Sequence, residues 1–88
     1  MNIDSLPYEF TKHARQVIQE RKIKPDWIAL ALSKPEKIEQ DSTDQELEHA
    51  LAPIPEFGNR VLRVVYNKNV TPFRIITVYF DRTMRDQL

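Results

Sequence analysis

The chain has 88 residues, and its 13 lysine and arginine residues balance its 13 aspartate and glutamate residues, so the formal net charge at pH 7 is zero. This length predicts a single domain over residues 1–88, and the lack of cysteine excludes disulfide bonds and thiolate metal sites. No apolar run is long enough to cross a membrane, and the N-terminus lacks a basic-then-apolar signal pattern, so we expect a cytoplasmic protein.

The charge is unevenly divided along the chain. Residues 1–59 hold seven basic and eleven acidic side chains, a net charge of −4, whereas residues 60–88 hold six basic and two acidic side chains, a net charge of +4. Such asymmetry predicts either an anionic partner for the basic half or internal pairing between the two halves.

A short edge strand is predicted at residues 8–10, followed by a helix over residues 12–22 with Thr11 as its N-cap. Apolar residues recur on one face of this helix, and Arg21 closes that stripe. An arginine at this place is expected to be partly buried and paired with a carboxylate, so we predict a structural role for Arg21.

Pro25 suits the first turn of a second helix, which is apolar nearly all round and ends before Pro35. A weak strand over residues 36–41 and a polar loop over residues 41–46 follow. Residues 47–54 fit either a helix or a strand, and the prolines at their end favour the strand. A turn at residues 55–59 then uses Gly58 at positive φ.

Two strands over residues 60–67 and 73–81 form a predicted hairpin, because both are rich in β-branched and aromatic residues. Strand alternation places the apolar sets toward the helices; they are Leu62, Val64, Ile76, Val78 and Phe80. The other face carries Arg63, Thr77, Tyr79 and Asp81, with Ile75 beside them. These polar side chains could hold a phosphate, or they could be ordinary cross-strand pairs on a half-solvated sheet.

Helices followed by a run of strands predict an α+β fold, in which two N-terminal helices pack on one face of a three- to four-stranded antiparallel sheet. The tail over residues 83–88 has no periodicity, so we expect it to be frayed or bound to a partner.

The candidate chemistry is acid–base catalysis without a metal or another cofactor. His13 and His49 are far apart and lack the spacing of metal ligands. Cleavage of RNA by its own 2′-hydroxyl needs a base, an acid and cations that stabilise the charged phosphorane. His13, near a helix N-terminus, and the surrounding arginines permit this reaction.

Two motifs extend this interpretation. FTKHARQVIQERKI and IPEFGNRVLRVVYNKNVTPFRIITVYFDR resemble the bacterial domain-of-unknown-function family 4258 over roughly residues 8–83. That family resembles the RelE-like toxins and the wider barnase, EndoU and colicin-like ribonucleases. The resemblance implies a RelE-like fold and the toxin half of a toxin–antitoxin pair, with RNA and a cognate antitoxin protein as partners. The motif positions with implied roles are His13, Arg21, Arg63, Thr77 and Arg82.

The leading hypothesis is therefore a metal-independent endoribonuclease toxin. Its predicted catalytic residues are His13, Arg63, Thr77, Tyr79 and Arg82. Its predicted RNA-binding residues are Arg15, Arg60 and Arg74. The alternatives are a non-catalytic protein-interaction module, which the neutral charge favours, and an RNA-binding domain without cleavage.

Overall fold

The computed structural model describes residues 3–85 and 87–88, and within these ranges the chain forms two helices and five strands. In chain order they are β1 (Glu9–Phe10), α1 (Lys12–Glu20), α2 (Pro25–Ser33), β2 (Lys37–Gln40), β3 (Leu47–Ile54), β4 (Arg60–Asn67) and β5 (Arg74–Phe80). Short 3₁₀ turns lie at Ile3–Ser5, Pro55–Phe57 and Arg82–Met84. None of the described helices has the length and apolar character that a bilayer span requires.

Local sequence accounts for both ends of α1. At its N-terminus the Thr11 hydroxyl accepts a hydrogen bond from the Ala14 N–H at 3.0 Å, as an N-cap should. At its C-terminus Lys22 adopts a left-handed conformation, with φ of 54°, and the Ile23 N–H donates to the Ile18 carbonyl at 3.0 Å. This pattern of bonds ends the helix and turns the chain toward α2.

The five strands form one mixed sheet in the order β1-β5-β4-β3-β2. The predicted three- to four-stranded antiparallel sheet is wrong, because β1 joins the edge of β5 in parallel, pairing Glu9 with Arg74 and Phe10 with Ile75. The fold is α+β. An edge strand was predicted at residues 8–10, but its parallel pairing with β5 was missed. Because β1 has only two residues and its partners lie 65 residues away, local alternation gives no information about this pairing.

The main core lies between the helices and one face of this sheet. Leu62, Val64 and Val78 are fully buried there against helix residues such as Ile18 and Ile28. Strand alternation had assigned these three strand residues to the helix side, and that assignment is confirmed.

A bulge in β5 reverses the alternation near its start. Val65 pairs with Thr77 but the next residue, Tyr66, pairs with Ile75, so Ile76 is an extra residue in the ladder. As a result Ile75 is fully buried in the helix-side core, whereas Ile76 is only half-buried. The predicted faces of these two residues are wrong, since a one-residue insertion moves the following side chains to the opposite face.

The outer edge of β5 is covered only at its beginning. Beyond the two residues paired with β1, Thr11 bonds this edge, because its N–H donates to the Ile75 carbonyl and its hydroxyl to the Ile76 carbonyl. From Thr77 onward no strand in the described part of the chain pairs with this edge. Helix α1 runs alongside it instead, which creates a groove between helix and strand.

The C-terminal segment is ordered into this arrangement. Arg82–Met84 form a 3₁₀ turn whose N-terminus is capped by Asp81, since the Thr83 N–H donates to the Asp81 carboxylate at 2.9 Å. Of the two alternatives for the tail, fraying is wrong for Thr83 and Met84, whereas binding to a partner stays a prediction; Asp86 lies outside the described residues. The turn places Arg82 and Arg85 beside the free edge of β5.

Candidate functional site

The groove along the free edge of β5 has a volume of about 1020 Å³. One wall is the C-terminal half of α1, and the other is the turn that follows β5. Its floor is apolar and consists of Val17, Ile23, Phe57, Val78 and Phe80. An apolar floor beneath polar walls is the usual composition of a ligand site.

Four arginines line this groove, and we call it the arginine groove. Arg21 follows α1, Arg60 begins β4, and Arg82 and Arg85 belong to the turn after β5. All four side chains are exposed, and within the described ranges none forms an ion pair with a carboxylate. Unpaired guanidinium groups converging on one groove favour an anionic ligand.

The acidic lining of the groove is engaged elsewhere. Asp81 accepts hydrogen bonds from Thr83 and from Arg63, and these bonds hold the pKa of its carboxyl below the usual value. Glu20 accepts a hydrogen bond from Gln16 at 3.0 Å on the surface of α1. The groove therefore has a local excess of positive charge although the whole chain is neutral.

Three of the predicted catalytic residues lie at or beside the β5 side of the groove. Thr77 and Tyr79 both line the groove, and Tyr79 is open to solvent, with 42% of its surface exposed. His13, exposed in the first turn of α1, places Nε2 3.3 Å from the Thr77 hydroxyl oxygen. Arg82 also lines the groove, so the groove and its border carry an imidazole, two hydroxyl groups and a cation.

Arg63 lies on the same face as Tyr79 and directly opposite it in the ladder, as strand alternation predicted. Its guanidinium, however, is buried in an ionic network outside the groove, and the residue is only 8% exposed. It donates to Glu39 at 2.8 Å, to Asp81 at 2.8 and 2.9 Å, and to His49 Nδ1 at 2.8 Å. Burial opposes its charge, but the bonds to Glu39 and Asp81 outweigh this and raise the pKa of Arg63.

His49 continues this network toward the β2–β3 loop. Because arginine can only donate, Nδ1 of His49 must accept from Arg63, so the imidazole carries its proton on Nε2. That proton is donated to Asp41, whose oxygen lies 2.6 Å away, and this bond is the largest of several that hold the pKa of Asp41 far below its usual value. Both ring nitrogens are thus occupied, and sequence patterns did not reveal this second histidine's role.

The remaining predicted residues divide between the groove and other surfaces. Of the three predicted RNA-binding arginines, only Arg60 lines the groove. Arg15 pairs with Asp4 at 2.8 Å, and Arg74 approaches Glu9 at 3.5 Å. The expectation that Arg21 is partly buried and paired is wrong, because α1 turns this position away from the core and into the groove.

No group of three or more histidine, aspartate or glutamate side chains in the described part of the chain is arranged to hold a metal ion.

Comparison with known proteins identifies the family. Searches of curated proteins and of solved structures found no match to the chain. A family model, described as Domain of unknown function (DUF4258), matches residues 10–80, a range that includes both helices and strands β2 to β5. Since this match extends over most of the 88 residues, the chain belongs to the DUF4258 family.

Proposed function

We propose that this protein is a metal-independent endoribonuclease that cleaves RNA in the arginine groove. The observation that carries the proposal is the contact between His13 and Thr77 at the border of a groove lined by four arginines. The arginines supply charge for binding a phosphodiester, and the imidazole supplies a group that can move a proton.

The reaction is transesterification within the RNA strand. His13 removes the proton from the 2′-hydroxyl, whose oxygen then bonds to the adjacent phosphorus while the bond from phosphorus to the 5′-oxygen breaks. Tyr79, a residue of the groove lining, donates the proton of its phenol to the departing 5′-oxygen. The products are a 2′,3′-cyclic phosphate and a 5′-hydroxyl, and the arginines stabilise the additional negative charge of the phosphorane.

The geometry changes two of the roles expected from the sequence. Arg63 has its donors directed to Glu39, Asp81 and His49, so in this proposal it positions the sheet and does not contact RNA. Arg21, expected to be structural, becomes a phosphate-binding residue together with Arg60 and Arg82. Thr77 orients the His13 imidazole through their hydrogen bond.

The biological role in this proposal is that of a toxin in a toxin–antitoxin pair, neutralised by a small protein encoded beside it. Its support is the resemblance of the family to RelE-like toxins and barnase, EndoU and colicin-like ribonucleases. Induction of the protein should arrest growth, and co-expression of the neighbouring gene product should relieve the arrest. Normal growth after induction of soluble protein would contradict the role of toxin.

The test of the activity is incubation of the purified protein with end-labelled single-stranded RNA in EDTA. We expect fragments that end in a 2′,3′-cyclic phosphate, and we expect His13→Ala to abolish them. Lys12→Ala is the matched control, because Lys12 is the exposed neighbour of His13 in the same helical turn. This variant should cleave RNA at the parental rate. Parental cleavage by His13→Ala would remove His13 from the mechanism.

RNA binding without cleavage is the second candidate. It is favoured by the fact that His49 has both ring nitrogens bonded, which leaves His13 as the one imidazole beside the groove in the described ranges. Tight binding of intact RNA with no cyclic phosphate product, even on prolonged incubation, would select this alternative.

A further inference from the structure

We propose that one end of the arginine groove is a stacking subsite for an unpaired nucleobase of single-stranded RNA, built from Arg60 and Phe57. The inference rests on the proposed function, because it concerns the ligand of the same groove. It adds that the protein recognises bases as well as phosphates, and that its substrate must present at least one unstacked base.

The subsite is the end of a column of three groups. The rings of Trp27 and Phe57 stack with centroids 5.2 Å apart and planes inclined by 29°. The guanidinium carbon of Arg60 lies 4.6 Å from the centroid of the Phe57 ring. Trp27 is buried, whereas Phe57 is 37% exposed and Arg60 is exposed, so the column begins in the core and ends at the groove.

The column is fixed from below by aromatic and polar contacts. Phe80 packs against Phe57 and Trp27, with centroid distances of 5.0 and 5.7 Å. The Trp27 indole N–H donates to Glu56, which also accepts from Lys24 at 3.4 Å. These contacts hold the Trp27 and Phe57 rings beneath Arg60.

The chain around the column is equally constrained. Phe57 ends a 3₁₀ turn, after which Gly58 and Asn59 both adopt left-handed conformations with φ of 66° and 58°. The Asn59 N–H donates to the Ile54 carbonyl at 2.9 Å, which closes the connection between β3 and β4. Arg60 then enters the ladder opposite Ile54, so its backbone is held by the sheet.

These features are more than phosphate binding requires. A phosphate is bound by charge and hydrogen-bond donors alone, and the other three groove arginines have no aromatic ring beneath them among the described residues. An arginine on an aromatic ring presents its flat guanidinium surface, and such surfaces stack on the bases of single-stranded RNA. A base on Arg60 would place its flanking phosphates toward the remaining arginines of the groove.

The experiment compares two uncleavable oligonucleotides of equal length and equal phosphate number. One is a 2′-O-methyl oligouridine, in which the attacking hydroxyl is blocked, and the other has the same backbone with abasic residues throughout. Binding is measured by fluorescence anisotropy of an end label at one fixed salt concentration. Because stacking of a single base strengthens binding by about tenfold, we expect the base-containing strand to bind about tenfold more tightly.

Two variants with preserved charge locate the effect. Arg60→Lys keeps the cation but removes the planar surface, so the base-containing and abasic strands should bind with nearly equal affinity. Arg82→Lys is the matched control at the other side of the groove, and it should weaken both strands by the same factor and preserve their ratio. Phe57→Leu, which removes the ring beneath Arg60, should reduce the ratio as Arg60→Lys does.

The outcomes separate this inference from the proposed nuclease. Equal affinities of the native protein for the two strands would overturn the stacking subsite, whether or not RNA is cleaved. A tenfold preference that Arg60→Lys removes, found together with no cleavage in EDTA, would retain the subsite and reject the nuclease. A preference that survives both Arg60→Lys and Phe57→Leu would overturn the assignment of the subsite to these residues.

Discussion

At the scale of single residues, Arg63 shows how tertiary contacts decide whether an arginine is structural or available to a ligand. The residue lies on the helix-free face where strand alternation predicted it, yet its guanidinium bonds Glu39 from β2, Asp81 at the end of β5 and His49 from β3. A buried cation needs such partners, because an unpaired charge away from water is costly. Arg63 therefore ties together three elements of the sheet and leaves the groove to other arginines.

Substitution of Arg63 by methionine should strongly destabilise the protein. The apolar side chain removes one donor from each of two carboxylates and the donor to the His49 nitrogen, and breaking a buried ion pair costs about 3–5 kcal/mol. Urea unfolding followed by circular dichroism measures the loss. The control is Arg74→Met, which removes an exposed pair with Glu9 and should cost about 1 kcal/mol or less. Similar losses for both variants would contradict the role of Arg63.

The same network predicts how stability depends on pH. Hydrogen bonds lower the pKa values of Asp41, Glu39 and Asp81 in the folded state, chiefly from His49, Arg63 and Thr83 respectively. Unfolded carboxyls therefore bind protons before folded ones, so this stabilisation is complete above the ordinary values of 4.5 for glutamate and 3.8 for aspartate and is lost as the pH falls below them.

Urea unfolding between pH 7 and pH 2 tests this dependence. The free energy of unfolding should be nearly constant near neutral pH and should decrease below about pH 4.5, the ordinary glutamate value. Asp41→Asn should make the decrease shallower, since this position no longer titrates. An unchanged slope for Asp41→Asn would exclude Asp41 as a contributor.

At the scale of elements, the join between α1 and β5 shapes the site. The Thr11 hydroxyl accepts from the Ala14 N–H and donates to the carbonyl of Ile76, the extra residue of the bulge. The N-cap of α1 was predicted from the sequence, whereas its bond to the bulge depends on the pairing of β1 with β5. This join sets His13 beside Thr77.

Thr11→Ala should lower stability by about 1–2 kcal/mol, because the helix loses its cap and the edge loses a hydrogen bond. Thr11→Ser keeps the hydroxyl and should recover most of this loss. The thermal midpoint reports the stability, and the cleavage rate in EDTA reports the position of His13. Equal midpoints for the alanine and serine variants would show that the hydroxyl has no stabilising role.

At the scale of the whole molecule, the basic residues of the second half divide between internal ion pairs and the arginine groove. Of the six basic residues after position 59, three pair with carboxylates of the first half; they are Arg63, Lys68 and Arg74. The other three line the groove; they are Arg60, Arg82 and Arg85. Internal pairing therefore neutralises half of the basic residues after position 59, and the other half lie at one groove.

This distribution predicts the salt dependence of RNA binding. Each phosphate neutralised on a single strand contributes about −0.7 to the slope of log K against log salt concentration, so four groove arginines give a slope of about −3. Arg82→Ala should make the slope less negative by about 0.7.

Arg15→Ala, on a surface where the residue pairs with Asp4, is the control and should leave the slope unchanged. Binding titrations at four or five salt concentrations measure both slopes. Equal changes for the two variants would show that RNA contacts the basic surface without preference for the groove.

The sequence by itself determined the helices, the four longer strands, the α+β class and the helix-side core of β4, because each depends on periodicity or capping within a few neighbouring residues. It also contained the motifs of the DUF4258 family. Only the tertiary structure decided the parallel pairing of β1, the bulge at Ile76, the burial of Arg63 and the position of Arg21 in the groove. Each of these depends on contacts between residues far apart in the chain, and local patterns carry no record of which distant groups will meet.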